Sequence, residues 1–470
     1  MKHFAGLFLA LAACSCSTVS DPEPFGAVPS PQQVAWQKME MNMFAHFGPN
    51  TFTSAEWGTG DENEDLFNPT DLDCNQWVSV AKAAGFGGII ITAKHHDGFC
   101  LWPNPESTHT VAQSSWRDGK GDVLKELSAA CAKGDIKFGV YVSPWDRNHP
   151  KYGTDAYNQV FVNSLKNIYT TYGDIFEQWF DGACGEGPNG KKQVYDWPLF
   201  NGTVNQYEPD AIIFSDGGPG CRWVGNESGF AGETSWSTFP GCYVAGQSGI
   251  NDILNEGVKG AECWIPSETD VSIRPGWFWK ASQTPEVKSL EKLLKIWYES
   301  VGHNSLLLLN IPPDNRGLID PVDSARLVEF RAALDKIQSV DFAEGAVASA
   351  SDVRGRKYGA ANLFDGDYDT YWAASDDVKE ATIEISLPEK RTFNRVMLQE
   401  YIPLGQRVEN FTVEVPDGNG WRTIAEGTTI GYKRIMLTGP TTTDKLRITV
   451  KALACPVLNN IELYKDDFLK

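Results

Sequence analysis

Short apolar runs alternate with amphipathic segments from about residue 35 to residue 340. The apolar runs predict strands at residues 43–47, 87–93, 137–143, 176–181, 211–216 and 305–311. Between them lie stretches with apolar residues at helical spacing. Examples are NQWVSVAKAAG, which we expect to end at Gly85, and DVLKELSAACAKG, with Asp122 as its cap and Gly134 beyond its end. This alternation is typical of βα units around a parallel sheet.

Several predicted strands end in a polar residue that directly follows apolar ones. His46, His95, Tyr141, Asp181 and Asp216 occupy such positions. In a (β/α)8 barrel the carboxyl ends of the strands converge on one face, and the active site is built there. The alternative, an open doubly wound sheet, requires a glycine-rich phosphate turn after its first strand, and HFGPNTF does not match one. We therefore predict an α/β fold with a (β/α)8-like TIM barrel.

The pattern changes near residue 340. After the helical stretch SARLVEFRAALDKI come short alternating strands, such as ATIEISL, RVMLQEY, NFTVEV and LRITV, with turn residues between them. Such spacing is typical of an all-β sandwich. We place the boundary within residues 338–345, which gives a barrel domain at residues 21–342 and a β-sandwich domain at residues 343–470.

The first 20 residues have the features of an export signal. A basic start is followed by an apolar run from about Phe4 to Ala13, which is too short to span a membrane. LAAC, ending at Cys14, resembles a bacterial lipobox, in which the cysteine is lipidated and becomes the mature N-terminus. We therefore expect residues 1–20 to be a lipoprotein signal peptide and tether, and the chain to be an exported lipoprotein anchored at the cell envelope. An ordinary signal cut near Ala13 is the alternative.

Composition and charge limit the possible partners. The net charge of −20 would repel nucleic acid, which excludes DNA and RNA as partners. Aromatic residues make up 12% of the chain and include 16 tryptophans, whose flat apolar faces can stack on sugar rings. The 10 cysteines have irregular spacing and no CxxC pair of the zinc type, so we assign no disulfide pairing.

Two carboxylic acids are candidates for glycosidase chemistry, which needs one carboxyl group to attack or activate water and one to protonate the leaving oxygen. Asp181 ends a predicted strand, preceded by Trp179 and followed by Gly182, which would let a substrate approach closely. Glu227 lies in the loop RWVGNESG, where burial against aromatic residues can raise the pKa of an acid. A barrel-end aspartate without a catalytic role and a surface glutamate are the simpler alternatives.

The adjacent histidines His95 and His96 have three possible uses. A zinc site needs three or four ligands, and adjacent residues on a strand point to opposite faces. The chain has only seven histidines, and none of the others forms an HxH or HExxH pattern. Structural histidines and ligand-binding histidines remain open as the other two interpretations, since imidazoles suit the vicinal hydroxyls of a sugar.

A series of motifs matches one known pattern in order along the chain. It consists of HFG at 46, EW at 56, HHDGF at 95, GVYVSPW at 139, WFDG at 179, RWVGNE at 222, IRPGWFW at 273 and LLLNIPPD at 307. This series resembles glycoside hydrolase family 29, the retaining α-L-fucosidases. The resemblance implies that Asp181 is the nucleophile. It implies that the fucose hydroxyls are held by His46, Glu56, Trp57, His95, His96 and Tyr141, and that the C6 methyl packs against Phe44, Trp179 and Trp277.

The same resemblance assigns the acid/base. RWVGNE looks like the version found in the subfamily that prefers α-1,3 and α-1,4 fucosyl branches, which implies Glu227, with Glu233 as the fallback. Hydrolysis would follow a double displacement without a catalytic cofactor, with the two carboxyl groups about 5 to 5.5 Å apart. A catalytically inactive glycan-binding lipoprotein and a zinc hydrolase that uses His95 and His96 are the alternative functions.

The C-terminal residues also resemble a known module. VASASDVRGRKYGAANLFDGDYDTYWAA, together with NNIELY near the end, is similar to a discoidin-like, family 32 carbohydrate-binding module. This implies calcium ligands at Asp365, Asp367, Thr370 and Glu462, all of which offer the oxygen atoms that calcium prefers. The alternatives are a DGD turn without an ion and a module that only buttresses the barrel.

Overall fold

The computed structural model describes residues 19–243, 245–247 and 249–469. The predicted signal peptide up to residue 18 and its lipobox Cys14 therefore lie outside the described residues. Within them, no helix has the length and apolar character needed to cross a membrane.

Eight parallel strands close into a barrel, which confirms the predicted architecture. Around the barrel the order is β1, β10, β9, β6, β5, β4, β3, β2, and then β1 again. The strands are β1 Met41–Ala45, β2 Gly88–Lys94, β3 Lys137–Val142, β4 Glu177–Trp179, β5 Ile212–Ser215, β6 Cys221–Trp223, β9 Ser267–Ser272 and β10 Leu306–Asn310. A separate antiparallel pair, β7 Thr238–Phe239 and β8 Cys263–Trp264, lies between β6 and β9 in the chain.

Nine α-helices are found in the described part of the chain. They are α1 Pro31–Met39, α2 Pro49–Thr53, α3 Cys74–Ala84, α4 Val123–Gly134, α5 Asp155–Tyr172, α6 Trp197–Tyr207, α7 Asn251–Glu256, α8 Leu290–Ser300 and α9 Pro321–Gln338. Gly85 ends α3 in the left-handed conformation as predicted, and Asp122 caps α4. The predicted end of α4 is wrong by one residue, because Gly134 stays helical and Asp135 takes the left-handed position.

Strands β6 and β9 were not predicted from the sequence, and each omission has a physical reason. β6 has only three residues and follows β5 after five connecting residues without a helix, so it carries no βα signal. β9 reads SETDVS and is buried along its whole length, yet most of its side chains are polar. The apolar run that marks a buried strand is therefore missing, because the polar side chains serve the barrel interior.

Side chains of β4 alternate between the barrel interior and the surrounding helices. Glu177 and Trp179 point inward, and Trp36 of α1 closes the lower end of the barrel by donating its indole N–H to Glu177 at 2.8 Å. Phe180 points outward and packs against Phe161 of α5. Because Asp181 follows in the inward phase, it emerges at the mouth of the barrel above Trp179.

The C-terminal part is an antiparallel β-sandwich of seven strands, as predicted. They are β11 Val347–Ala350, β12 Trp372–Ala373, β13 Glu380–Glu400, β14 Val408–Asp417, β15 Gly420–Gly427, β16 Arg434–Ala452 and β17 Val457–Tyr464. β13 and β16 are long and carry register shifts, for example between Ser386 and Arg391. The first half of β13 pairs with β11 and its second half with β17, so the two long strands take part in both layers.

The sandwich is joined to the barrel by buried polar contacts. The Arg395 guanidinium and the Tyr298 hydroxyl both donate to Oδ2 of Asp466, at 2.7 and 3.0 Å. On another part of the junction, Asn304 of the barrel accepts from the backbone N–H of Tyr432 at 2.7 Å. The Tyr298 and Asn304 contacts cross between the domains, whereas Arg395 belongs to the sandwich like Asp466 and orients the carboxylate that Tyr298 contacts.

Candidate active site

A cavity of about 470 Å³ opens at the carboxyl ends of the barrel strands. Both predicted catalytic carboxyl groups, Asp181 and Glu227, line it. Its other lining residues include Trp179, Gly182, Cys184, Tyr195, Asp216, Trp223, Gln247 and Asp270. The cavity thus lies where a (β/α)8 barrel builds its active site.

Asp181 is held in place at the floor of this cavity and remains open to solvent. Its Oδ1 accepts the backbone N–H of Ala183 at 2.7 Å, and its Oδ2 accepts the Tyr141 hydroxyl at 3.0 Å. About a quarter of the side chain, 26%, is exposed. Two donors on a carboxylate fix its direction, which suits a nucleophile.

Gly182, next to Asp181, is required for a different reason than the sequence suggested. A Cβ atom at this position would lie 2.3 Å from Oδ2 of Asp216 and 2.5 Å from the backbone nitrogen of Gly246. The absent side chain therefore lets the loop at Gly246 close over the strand end, where its N–H donates to Asp216 at 2.7 Å.

Glu227 has the surroundings of an acid. Burial raises the pKa of its carboxyl group, and the negative charges of Asp181 and Glu56 raise it further, while a hydrogen bond from Trp277 acts in the opposite direction. That bond runs from the indole N–H of Trp277 to Oε2 at 3.3 Å. A raised pKa keeps a proton on this carboxyl group closer to neutral pH.

The rings of His95 and His96 lie side by side next to Tyr141 and Asp181, although adjacent strand residues were expected to point apart. They follow the last residue of β2, where the alternation of the strand no longer applies, and their rings lie 4.2 Å apart. The His95 ring stacks against Tyr141 at 5.6 Å, and His96 approaches Asp181. Burial lowers the pKa of both imidazoles, so they are neutral at physiological pH.

The hydrogen bonds of His46 and His96 define which ring nitrogen carries the proton. Ser143 donates its hydroxyl proton to the carbonyl of Trp145, so it accepts from Nδ1 of His96 at 2.8 Å. Asn310 offers only its amide oxygen to Nδ1 of His46, at 2.9 Å. We therefore assign the proton to Nδ1 and the acceptor role to Nε2 in both rings. Burial lowers the pKa of His46 to about 3, which keeps that ring neutral as well.

Three aromatic rings form the apolar part of the floor. Phe44 lies 5.2 Å from Trp179 and 6.3 Å from Trp277, measured between ring centroids. Trp179 stacks on Phe214 at 3.9 Å with an interplanar angle of 7°. The structure brings together all three aromatic residues that the sequence assigned to the C6 methyl.

The last two predicted sugar contacts lie at the rim. Glu56 accepts the backbone N–H of Trp277 at 2.8 Å, and the Lys280 ammonium lies 2.6 Å from its other oxygen. Trp57 is 58% exposed and packs edge-on against His96, with 5.6 Å between the ring centroids. The predicted sugar-contact residues therefore lie close together beside Asp181 and Glu227, and Trp179 is the one among them that lines the 470 Å³ cavity itself.

Sequence reasoning assigned no role to two residues of this site, Asp270 and Asp216. Asp270 lies in the unpredicted strand β9, and its carboxyl group accepts the indole N–H of Trp223 at 2.7 Å. Burial, together with the charge of Glu227, raises the pKa of Asp270 well above its usual range. Asp216 was noted only as a strand-end residue, and burial raises its pKa to about 6. The position of Asp216 after a strand was the one available signal for its role.

The fallback acid and the zinc hypothesis receive no support from the geometry. Glu233 lines a separate cleft between the two domains, beside His303 and Arg434. In the described residues, the only three His, Cys, Asp or Glu side chains with ligand atoms within 4.8 Å of one another are Glu177, Cys221 and Glu268. His95 and His96 therefore lack the further ligands that zinc requires.

The four predicted calcium ligands do not form one set. Asp365 accepts the Thr370 hydroxyl at 2.6 Å and the N–H of Asp367 at 2.9 Å, so its oxygens are satisfied within the turn. Glu462 lies on β17, where it accepts from Asn460 and Tyr464. It is not grouped with the two aspartates among the described residues. The donors present thus do not assemble the expected oxygen cage, and calcium stays a prediction.

Both domains of this chain match known protein families. The family described as Alpha-L-fucosidase matches residues 24–336, and the F5/8 type C domain family matches residues 346–461. Alpha-L-fucosidase 1 of Arabidopsis thaliana is 41% identical over 455 residues, which cover 95% of this chain and 89% of that protein. The chain belongs to the α-L-fucosidase family, glycoside hydrolase family 29.

Solved structures agree with this membership. A putative α-L-fucosidase from Bacteroides thetaiotaomicron has a TM-score of 0.90 and 37% identity, covering 95% of this chain and 99% of that one. A Ruminococcus gnavus family 29 fucosidase in complex with fucose has a TM-score of 0.87 and 33% identity, covering 96% and 98%. The chain is thus a glycoside hydrolase of the α-L-fucosidase class, and an inactive glycan-binding protein is not favoured.

Proposed function

We propose that the chain is a retaining, exo-acting α-L-fucosidase that removes α-1,3- or α-1,4-linked fucose from branched, Lewis-type glycans. The observation that carries this proposal is the pairing of two carboxyl groups with different environments in one cavity. Asp181 is oriented by two donors and open to solvent, while burial raises the pKa of Glu227. Such a difference separates a nucleophile from an acid.

The reaction would proceed in two displacements. Asp181 attacks the anomeric carbon while Glu227 protonates the departing glycosidic oxygen, which gives a fucosyl-enzyme ester. Water then attacks the same carbon with Glu227 acting as base, and Asp181 leaves. The Tyr141 hydroxyl, which donates to Asp181, would release the carboxylate oxygen as the ester forms.

Fucose selection would rest on the floor of the cavity. Its C6 methyl would pack on Phe44, Trp179 and Trp277, which offer no partner for a hydroxyl in its place. One methylene or hydroxyl difference in such a pocket changes affinity by about 1 to 3 kcal/mol. The neutral imidazoles of His46 and His96 would accept hydrogen bonds from ring hydroxyls. Because these buried aromatic residues close the floor, only a terminal sugar would fit.

The linkage preference rests on the loop RWVGNE and on the extent of the cavity. Beyond Asp181 and Glu227 the cavity continues along Cys184, Tyr195, Asp216 and Gln247. This extension would leave room for a branched leaving group. With Cys14 lipidated, the protein would meet its substrate at the bacterial cell envelope. The C-terminal domain would contribute further glycan binding.

The test is fucose release from a Lewis-type trisaccharide by purified residues 21–470. We expect release by the wild type, a loss of at least about a thousand-fold in turnover for Asp181→Asn, and retained fucose binding in that variant. Glu233→Gln is the control for Glu227→Gln, because it removes a nearby carboxylate outside the cavity and is expected to leave turnover unchanged. NMR of the first-formed fucose would show the α-anomer for retention, and the β-anomer would overturn the mechanism.

A further inference from the structure

Beneath the fucosidase cavity, two glutamates face each other inside the barrel. Glu177 of β4 and Glu268 of β9 are both fully buried. One oxygen of each has an indole donor, because Trp36 donates to Oε2 of Glu177 at 2.8 Å and Trp179 donates to Oε1 of Glu268 at 2.9 Å. No catalytic step proposed for Asp181 and Glu227 uses this pair.

The two remaining oxygens lack any other donor. Oε1 of Glu177 and Oε2 of Glu268 are buried and have no hydrogen-bond partner among the described residues, although the two carboxyl groups are within hydrogen-bond reach of each other. Two buried carboxylates in contact repel each other and lose their hydration, which disfavours charge on both. A single proton held between them removes both penalties.

We propose that Glu268 is a positioning residue, which presents Oε1 as a fixed acceptor to the indole N–H of Trp179, while a proton shared with Glu177 allows its other oxygen to stay buried. Burial and mutual repulsion, which raise the pKa of both groups, agree with a retained proton. Trp179 then stands between this glutamate pair and Asp181 in the same inward row of β4. The inference rests on the proposed contact of Trp179 with fucose.

The hydrogen bond fixes a rotation that stacking alone leaves free. Phe214 and Tyr141 lie against the two sides of the Trp179 ring, at 3.9 and 5.2 Å between centroids. Such contacts restrain the tilt of the indole but permit it to slide in its own plane. The Glu268 oxygen, 2.9 Å from the ring nitrogen, fixes the position of the indole within its own plane. It therefore determines which edge of the indole meets the C6 methyl.

The experiment compares two substitutions that remove one member of the pair each. Glu268→Met takes the acceptor from Trp179, and we expect KM for an aryl α-L-fucoside to rise about ten-fold, because a buried donor is left unpaired. The preference for the fucoside over its 6-hydroxylated analogue, an aryl α-L-galactoside, is also expected to fall. Glu177→Met removes an equal carboxyl group whose indole partner is Trp36, and it is expected to lower stability similarly while leaving KM within about two-fold.

Two further variants separate positioning from a structural role. Glu268→Gln keeps an oxygen for Trp179 and an N–H₂ group for Glu177, so it is expected to restore KM. In a Trp179→Phe background, which lacks the indole N–H, Glu268→Met is expected to raise KM no further. An additive effect in that background would overturn the proposal, and so would failure of Glu268→Gln to restore KM.

Failure of the inference can be told apart from failure of the proposed function. If Trp179→Ala raises KM while Glu268→Met does not, Trp179 contacts the sugar but Glu268 does not position it. If Trp179→Ala leaves KM unchanged, the proposed fucose contact itself is wrong, and the inference falls with it. Stoichiometric metal in the purified protein that is lost in Cys221→Ser would also overturn the shared proton, because the Cys221 sulfur completes the only three-ligand group in the described residues.

Discussion

Nε2 of His96 lies 3.6 Å from Oδ2 of Asp181, and Nδ1 of the same ring lies 2.8 Å from the Ser143 hydroxyl. Because Ser143 donates to the Trp145 carbonyl, we assign the His96 proton to Nδ1, so that Nε2 and Oδ2 are both acceptors. Two acceptors at this distance require a donor between them to be fully satisfied. A fucose hydroxyl next to the anomeric carbon, delivered as Asp181 attacks, would supply that donor to His96.

The first prediction is that His96→Ala weakens substrate binding and catalysis together. Losing an acceptor for one sugar hydroxyl is expected to lower kcat/KM by about ten-fold, which corresponds to about 1.4 kcal/mol. Ser143→Ala is the companion variant. It removes the hydrogen-bond partner of Nδ1, so that the proton of His96 can occupy either ring nitrogen, and it leaves the ring in place. It is expected to lower kcat/KM by a smaller factor, and an effect larger than that of His96→Ala would contradict this reading.

The second prediction concerns the pH profile and Trp277. The hydrogen bond from Trp277 favours the charged form of Glu227, so Trp277→Phe is expected to raise the pKa of that acid further. Because catalysis needs the protonated form, the alkaline limb of kcat/KM is expected to move to higher pH. Trp279→Phe is the matched control, as the indole N–H of Trp279 donates to Asp320 instead. Equal shifts in both variants would contradict the assignment of Glu227 as the acid.

The third prediction concerns stability in acid and His303. Burial lowers the pKa of His303 from 6.5 to about 4, so between these values the unfolded chain binds a proton that the folded one does not. The free energy of unfolding therefore falls as pH falls through this window, by up to about 1.4 kcal/mol per pH unit for this group. His303→Asn keeps a donor for the Ala231 carbonyl and removes the titration. Urea unfolding from pH 7 to pH 5 is expected to give a shallower slope than wild type, and an unchanged slope would refute the assignment.

The fourth prediction tests the buried ion pair within the sandwich that orients Asp466, the partner of Tyr298 in the barrel. Arg395→Met leaves the buried carboxylate of Asp466 without its charged partner and is expected to destabilise the protein by about 3 to 5 kcal/mol. Arg391→Met on the same strand is the control, because its pair with Glu389 is exposed and is worth about 0 to 1 kcal/mol. Equal thermal shifts in the two variants would show that the buried pair adds no more stability than the exposed one.

The elements that could be predicted are those whose structure follows from the residues of one local segment. The apolar runs of β1, β2 and β3 and the caps at Asp122 and Gly85 follow from local spacing. Asp181 follows from its place after a strand. The polar strand β9 does not, because its residues are buried by partners from other strands, such as Trp179 and Trp223, that are distant in sequence. Asp270 was missed for the same reason.

The orientation of the twin histidines shows the second limit. Strand alternation would send His95 and His96 apart, yet the strand ends at Lys94 and the two rings lie side by side, 4.2 Å apart. The resemblance to family 29 supplied what local geometry did not. The tautomers of His46 and His96 required the three-dimensional partners Asn310 and Ser143, whose roles no spacing along the chain indicates.

The inward row of Glu177, Trp179 and Asp181 limits how this enzyme can vary in evolution. These three residues are every second residue of one short segment, and each lies at a different depth of the barrel interior. A single inserted or deleted residue between Glu177 and Asp181 would turn the nucleophile toward the helices and bring Phe180 or its neighbour to the mouth. We expect relatives to exchange residues freely in the loops around the cavity and to vary in loop length, while the spacing within these five residues stays constant.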